Sequence, residues 1–216
     1  MRQDEPHGET PVPFQINKVV NLPLTDDQRL DRAIALFDSG DDLAHALKEF
    51  VSLIDKGNKE AYYFSGCIYE EGANGVEQDL GKARFYYEKS VEELGYVEGY
   101  LALGRLYFYG IGVNQDYAKA FEYYAVVRAQ KDNPIAHLML GTMHHYGFGV
   151  NKDSTKAREY YNKAAIMRNV YAIRNLGILE GEQGHLLRGL AMRVKAGIMA
   201  FSIGLRNMKD GRLRRA

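Results

Sequence analysis

YGIGVNQDYAKAFEYY, from Tyr109 to Tyr124, admits two readings. Gly110-Ile111-Gly112 could open a phosphate-cradling loop, or it could be a bend between two helices. Recurrence decides between them. Asp79, Asp116 and Asp153 are 37 residues apart, and so are Val76, Val113 and Val150, Ala83, Ala120 and Ala157, and Tyr87, Tyr124 and Tyr161. Gly104 and Gly141 keep the spacing, while Gly66 lies 38 before Gly104 because the first copy reads GANGV where the others read GIGV and GFGV. A dinucleotide fingerprint needs a preceding strand, a third glycine and a helix N-terminus aimed at the pyrophosphate. Here Gln115 stands at the third glycine position, LALGRLYFY continues a helical pattern, and no lysine holds a P-loop position. One nucleotide would also need only one such loop. The glycines therefore read as a helix end and a turn with positive φ. Val113 is expected to turn inward and Asp116 to cap the next helix.

The register runs further in both directions. Asp42, Ala46 and Phe50 sit 37 residues before Asp79, Ala83 and Tyr87, without the glycine loop. Ala172 and Leu176-Gly177 echo Ala136 and Leu140-Gly141 before the pattern diverges. Full copies flanked by atypical ones are the mark of a capped solenoid, whose end repeats face water on one side. Each copy reads as two helices, A and B. Helix A of the third copy opens at Pro134, tolerated in a first turn, and helix B follows Asp153-Ser154. Glycine inside a helix costs about 1 kcal/mol against alanine, so Gly66, Gly104 and Gly141 call for close approach of a second helix. All 16 tyrosines lie between Tyr62 and Tyr171, where packing explains them. The expected fold is an all-α solenoid of helical hairpins with a period of about 37 residues. Its parts are a flexible arm at 1–24 rich in proline (Pro6, Pro11, Pro13, Pro23), a degenerate capping repeat at 25–58, three repeats at 59–169, a divergent repeat with a capping helix at 170–208, and a basic tail at 209–216. A capping-box pattern at Thr25–Gln28 marks the first helix.

Composition narrows the function. The 216 residues balance 28 basic against 28 acidic side chains, which removes the global positive charge expected of a nucleic-acid binder. The balance hides a skew, since residues 185–216 hold eight Lys/Arg against Asp210 alone. The cluster Arg212, Arg214, Arg215 is too short to argue for nucleic acid. A single cysteine, Cys67, excludes an intrachain disulfide and argues against a structural zinc site. The start of the chain is polar and acidic without an apolar signal core. The longest uncharged apolar run, Ala196–Leu205, is about half the ~20 residues of a spanning helix. The expectation is a soluble, cytoplasmic protein.

The quoted segment and its copies resemble a known family. AHLMLGTMHHYGFGVNKDSTKAREYY, Ala136–Tyr161, is similar to the Sel-one-like repeat (SLR), a relative of the tetratricopeptide repeats with a longer, glycine-bearing turn. The likeness covers 60–165 well, 31–58 and 170–195 weakly, and the tails not at all. It implies a right-handed superhelix of helical hairpins and a protein-interaction scaffold rather than an enzyme. A secreted branch of the family staples each hairpin with a disulfide. A chain with only Cys67 departs from that branch.

Each candidate for chemistry in the chain has a competing role in packing. His137, His144 and His145 share one helix and suggest a metal, but His137 aligns with Tyr62 and Tyr100, and His144 with Tyr69 and Tyr107. They read as replacements for packing tyrosines. Cys67 has no partner base in the pattern, and the recurring aspartates sit where caps belong. No catalytic residue, cofactor or metal is expected. Relative to each helix A glycine, offsets −5, −1, +2 and +3 read as core, whereas −3, +1 and +4 form a stripe that varies between copies. From that stripe Tyr63, Cys67, Leu101, Arg105, Phe108, Thr142, His145 and Arg174 are the candidate face for another protein or an extended peptide, on the concave helix A side. The segment 186–216 combines an apolar helix with basic residues. It reads as a capping helix or, alternatively, as an element docking a peripheral scaffold on a membrane or envelope surface. The oligomeric state is left open.

Overall fold

Aspartates at a 37-residue interval start four alternate helices. In the computed structural model, which describes residues 24–72 and 75–209 and the side chains up to 204, Asp42, Asp79, Asp116 and Asp153 each accept a hydrogen bond from a backbone N–H two or three residues on, at 2.9–3.0 Å. The donated backbone bonds hold the Asp79 and Asp153 carboxyls below their ordinary pKa. Thr25 and Gln28 form the capping box read from the sequence. The predicted arm lies, but for Leu24, outside the described residues, as does the basic tail beyond Lys209.

Ten α-helices result among the described residues: α1 (Asp26–Ser39), α2 (Leu43–Asp55), α3 (Ala61–Glu71), α4 (Leu80–Leu94), α5 (Val97–Tyr109), α6 (Tyr117–Gln130), α7 (Pro134–Tyr146), α8 (Ser154–Ile166), α9 (Val170–Glu182) and α10 (Leu186–Lys209). They pair as five hairpins, and the second helix of each hairpin packs on the first helix of the next. Helix packing is thus almost wholly between neighbours in sequence, which is what makes the chain a solenoid. Helices α3, α5, α7 and α9 are the A helices, and α4, α6 and α8 the B helices.

Within each of the three middle hairpins an aromatic ring lies on a helix A glycine. A Cβ placed on Gly66 would meet the Tyr87 ring at 2.7 Å, on Gly104 the Tyr124 ring at 2.9 Å, and on Gly141 the Tyr161 ring at 2.7 Å. The three tyrosines are at most 1% exposed. Ala83, Ala120 and Ala157, one turn earlier on helix B, are fully buried beside them. In the last hairpin the ring is gone and backbone replaces it, with Gly177 and Gly189 each facing the other's carbonyl. The core offsets read from the sequence are buried except at Tyr69, which is half-buried: Ala61, Ser65 and Ile68, Leu103, Leu106 and Tyr107, and Leu140, Met143 and His144 all lie inside.

The loop around Gly110 is the joint between repeats. Gly110 ends α5 at φ 70°, and Gly112 follows at φ 65°, a conformation only glycine adopts without strain. Gly112 presses against Leu80 at the start of α4, and Gly149 presses on the Tyr117 backbone at the start of α6. A side chain at either position would push the repeats apart. The loop closes where the Asp116 N–H donates to the Tyr107 carbonyl at 2.9 Å, and its counterparts bind Asp79 to Tyr69 and Asp153 to His144 at 2.8 Å. The Gly110, Ile111 and Asp116 N–H groups donate to carbonyls of α5, and the Asp116 carboxylate caps the helix N-terminus that a phosphate would need.

Two glycine-to-alanine changes should move stability in opposite directions. Gly141→Ala forces the buried Tyr161 ring to shift and is expected to cost about 1–3 kcal/mol. Gly197 of α10 meets nothing within 4 Å, so Gly197→Ala is expected to stabilise by up to about 1 kcal/mol through helix propensity. Urea unfolding of both variants measures the pair.

Candidate binding groove

Three A helices lying side by side leave a trough along their free face. Its sides come from α3, α5 and α7, and its floor includes the rings of Tyr87 and Tyr124, the same rings that rest on Gly66 and Gly104. The volume is about 730 Å³. Four of the residues read from the sequence, Tyr63, Cys67, Leu101 and Arg105, line it together. Thr142 does not. Its hydroxyl turns back to donate to the Leu138 carbonyl at 2.9 Å and accepts weakly from the Tyr161 phenol at 3.4 Å. Arg174 is exposed but lines a separate cleft of about 440 Å³ between α9 and α10.

Two candidates are corrected. Phe108 is 7% exposed and makes edge contacts with Tyr117 and with Phe148 of the following loop. His145 is fully buried, with Nδ1 3.3 Å from the Tyr161 phenol and Nε2 2.9 Å from Glu182. Both stand at offset +4, which the next repeat covers. A helical wheel sees only the helix it is drawn for, and the covering groups lie 37 to 40 residues further on.

At the same offset in the first copy, Glu70 organises the near end of the trough. Its Oε2 accepts from the Tyr87 phenol at 2.8 Å and from the Arg105 guanidinium at 2.5 Å. That bond raises the Arg105 pKa further above its ordinary value. Burial pushes the Tyr63 and Tyr87 phenols up as well. It also raises the Cys67 thiol, opposite to the shift that makes a reactive thiolate. The trough therefore holds neutral phenols, a neutral thiol and an ion pair already engaged. Glu71, Glu98, Tyr109, Ile135 and Met139 line it too and were missed by the sequence stripe. They all sit on one side of the stripe, at offsets −6, −2 and +5, so a wider arc of the helix would have found them.

The histidines serve as rings. His144 stacks on Tyr160 at 5.7 Å, where Tyr69 stacks on Tyr86 at 5.6 Å and Tyr107 on Tyr123 at 5.8 Å. His137 bonds Asp132 at 3.1 Å. Among the described residues no group of three His, Cys, Asp or Glu side chains could hold a metal ion. A cavity of about 870 Å³ beside the third loop is lined by His144, Lys152 and Lys156, but Asp153 already occupies the helix N-terminus there.

Glu70 should matter more than its ion-pair partner. Glu70→Ala strands the Tyr87 phenol and is expected to cost about 1–3 kcal/mol. Arg105→Ala, at a side chain 42% exposed, should cost under about 1 kcal/mol. Denaturant titration of the two variants ranks them.

Comparison with known proteins agrees with this geometry. The Sel1 repeat model matches residues 59–93, 97–125 and 134–169. No curated protein matches the chain. Among solved structures it is similar to c5321, a protective antigen of uropathogenic Escherichia coli strains displaying an SLR fold, at 26% identity and a TM-score of 0.69. That likeness covers 83% of this chain and 39% of the antigen, so the chain spans about two fifths of its length. It is also similar to a Sel1 repeat protein from Oxalobacter formigenes, at 23% identity and a TM-score of 0.67, over 80% of this chain and 72% of the other. The chain is thus an α-solenoid in which three segments match the Sel1 repeat, with a further hairpin on either side of them.

Proposed function

We propose that the chain is a non-enzymatic adaptor that binds an extended segment of another protein in the trough formed by α3, α5 and α7. Sel1-repeat proteins are commonly protein-interaction scaffolds. The observation that carries the reading here is the chemistry of the trough. Tyr63, Leu101, Ile135 and Met139 give it apolar and aromatic walls, while exposed Glu71 and Glu98 stand at its edge. Its dimensions suit an unfolded strand of a few residues rather than a globular surface. Aromatic and apolar anchors with a charged rim have the anatomy of a peptide-binding hot spot. The carboxylates favour a ligand bearing Lys or Arg between apolar residues, and Arg105 gives the peptide backbone or a terminal carboxylate one fixed donor.

Selection of a random-peptide library on the full chain tests this. The selected peptides are expected to combine apolar and basic residues. Leu101→Asp and Glu98→Lys should each weaken them by about tenfold or more, a loss of at least ~1.4 kcal/mol, with the helical circular dichroism unchanged. Peptides that bind both variants as well as the parent would place the site elsewhere.

A further inference from the structure

Among the described residues nothing covers the most apolar face of the C-terminal helix. Leu187, Leu190, Val194, Ile198 and Phe201 follow an i, i+3, i+7, i+11, i+14 register and are between 53% and 85% exposed. Such a register lies along one side of a helix. At 1.5 Å per residue the stripe is about 21 Å long. The opposite side makes the contact with the solenoid, through Gly189 against Gly177, buried Ala196, and Met192 packed on the cluster of α8 and α9. Capping the last repeat therefore uses one face of α10 and leaves another free. Contiguous apolar surface of this kind marks an interaction site.

Charge selects the partner. Helix α10 contains Arg188, Arg193, Lys195, Arg206 and Lys209 and no acidic residue. Taking 100° per residue, Arg188 and Lys195 fall along one border of the stripe and Arg193 along the other; Arg188 keeps a side chain 70% exposed while its Nε stands 3.8 Å from the Glu180 carboxylate. Exposed Arg174 of α9 stands near Arg193 in the cleft beside it. An apolar strip bordered on both sides by cations is the pattern of a helix lying in a bilayer interface, tails below and headgroup phosphates at the flanks. A second copy of α10 would bring these cations against their own kind. No helix among the described residues is long and apolar enough to cross a membrane, so contact would be parallel to the surface.

We infer that α10 docks the solenoid on an anionic phospholipid surface, with Leu187, Val194 and Phe201 inserted and Arg188, Arg193 and Lys195 on the headgroups. This surface is separate from the trough and does not depend on the function proposed for it. The test is flotation of the full chain with phosphatidylcholine vesicles and with vesicles also containing phosphatidylserine. The chain should float with the anionic vesicles, release as salt is raised, and stay down with phosphatidylcholine alone. Leu187→Ser/Val194→Ser/Phe201→Ser should abolish flotation. Arg188→Gln/Arg193→Gln/Lys195→Gln should weaken it by about tenfold or more. The apolar side chains are exposed, so the serine variant should keep the parent's Tm, and the glutamine variant, which gives up the 3.8 Å contact of Arg188 with Glu180, should stay close to it. Failure to float with anionic vesicles, or equal flotation of the parent and the serine variant, would overturn the inference. So would a dimer in sedimentation that the serine variant dissolves while the parent ignores vesicles, since the face would then belong to a second copy. Recovery of an acidic protein on this face, without flotation, would overturn it in favour of that partner.

Discussion

A tyrosine ring laid on a bare helical glycine is the interaction on which this molecule depends. It occurs three times, as Tyr87 on Gly66, Tyr124 on Gly104 and Tyr161 on Gly141. The glycine weakens its own helix by about 1 kcal/mol. Burying a tyrosine removes roughly 150–250 Å² from water, which at ~25 cal/mol per Å² is worth several kcal/mol. The balance favours the joint, and the flanking alanines let helix B come close enough to make it. The trough shares these rings, because Tyr87 and Tyr124 also form part of its floor. The groove is a by-product of how each hairpin is closed.

Between hairpins the chemistry changes at every joint. Offset +4 of helix A is an ion-paired glutamate in the first copy, an aromatic contact in the second, and a buried histidine bonded to Glu182 in the third. A solenoid tolerates this because each interface is nearly independent of the others. The glycine–tyrosine pair does not vary across these copies, whereas the joints between them do. The end hairpins depart furthest. The first has no glycine loop before Asp42, and the last replaces the aromatic seat with glycine on glycine.

Much of this was legible in the sequence, for a physical reason. Caps, turn glycines and helix-facing columns are local, so Asp116, Gly110 and Ala120 announced their roles through repetition alone. The tyrosine-for-histidine exchange at 137 and 144 was legible too, because a shared column implies a shared environment. What the repeat could not convey was contact between copies. Phe108 and His145 looked like surface positions on their own helices and are covered by Phe148 and Glu182 of the next repeat. Arg174 carried the right offset, but α10 follows α9 in place of an ordinary helix B and gives it a different neighbourhood. The apolar face of α10 was visible as composition; which part of it stays uncovered depends on where Gly189 meets Gly177.

The central claim is that the ring and the glycine act as one unit, and a double-mutant cycle measures that directly. Gly104→Ala, Tyr124→Leu and the double variant would be unfolded in urea alongside the parent. Alanine should be destabilising while the Tyr124 ring is present and close to neutral or stabilising once leucine has made room. That amounts to a coupling of about 1 kcal/mol or more. Costs that add to within about 0.5 kcal/mol would show that Gly104 is not there to seat the ring, and the basis of the fold would have to be sought elsewhere.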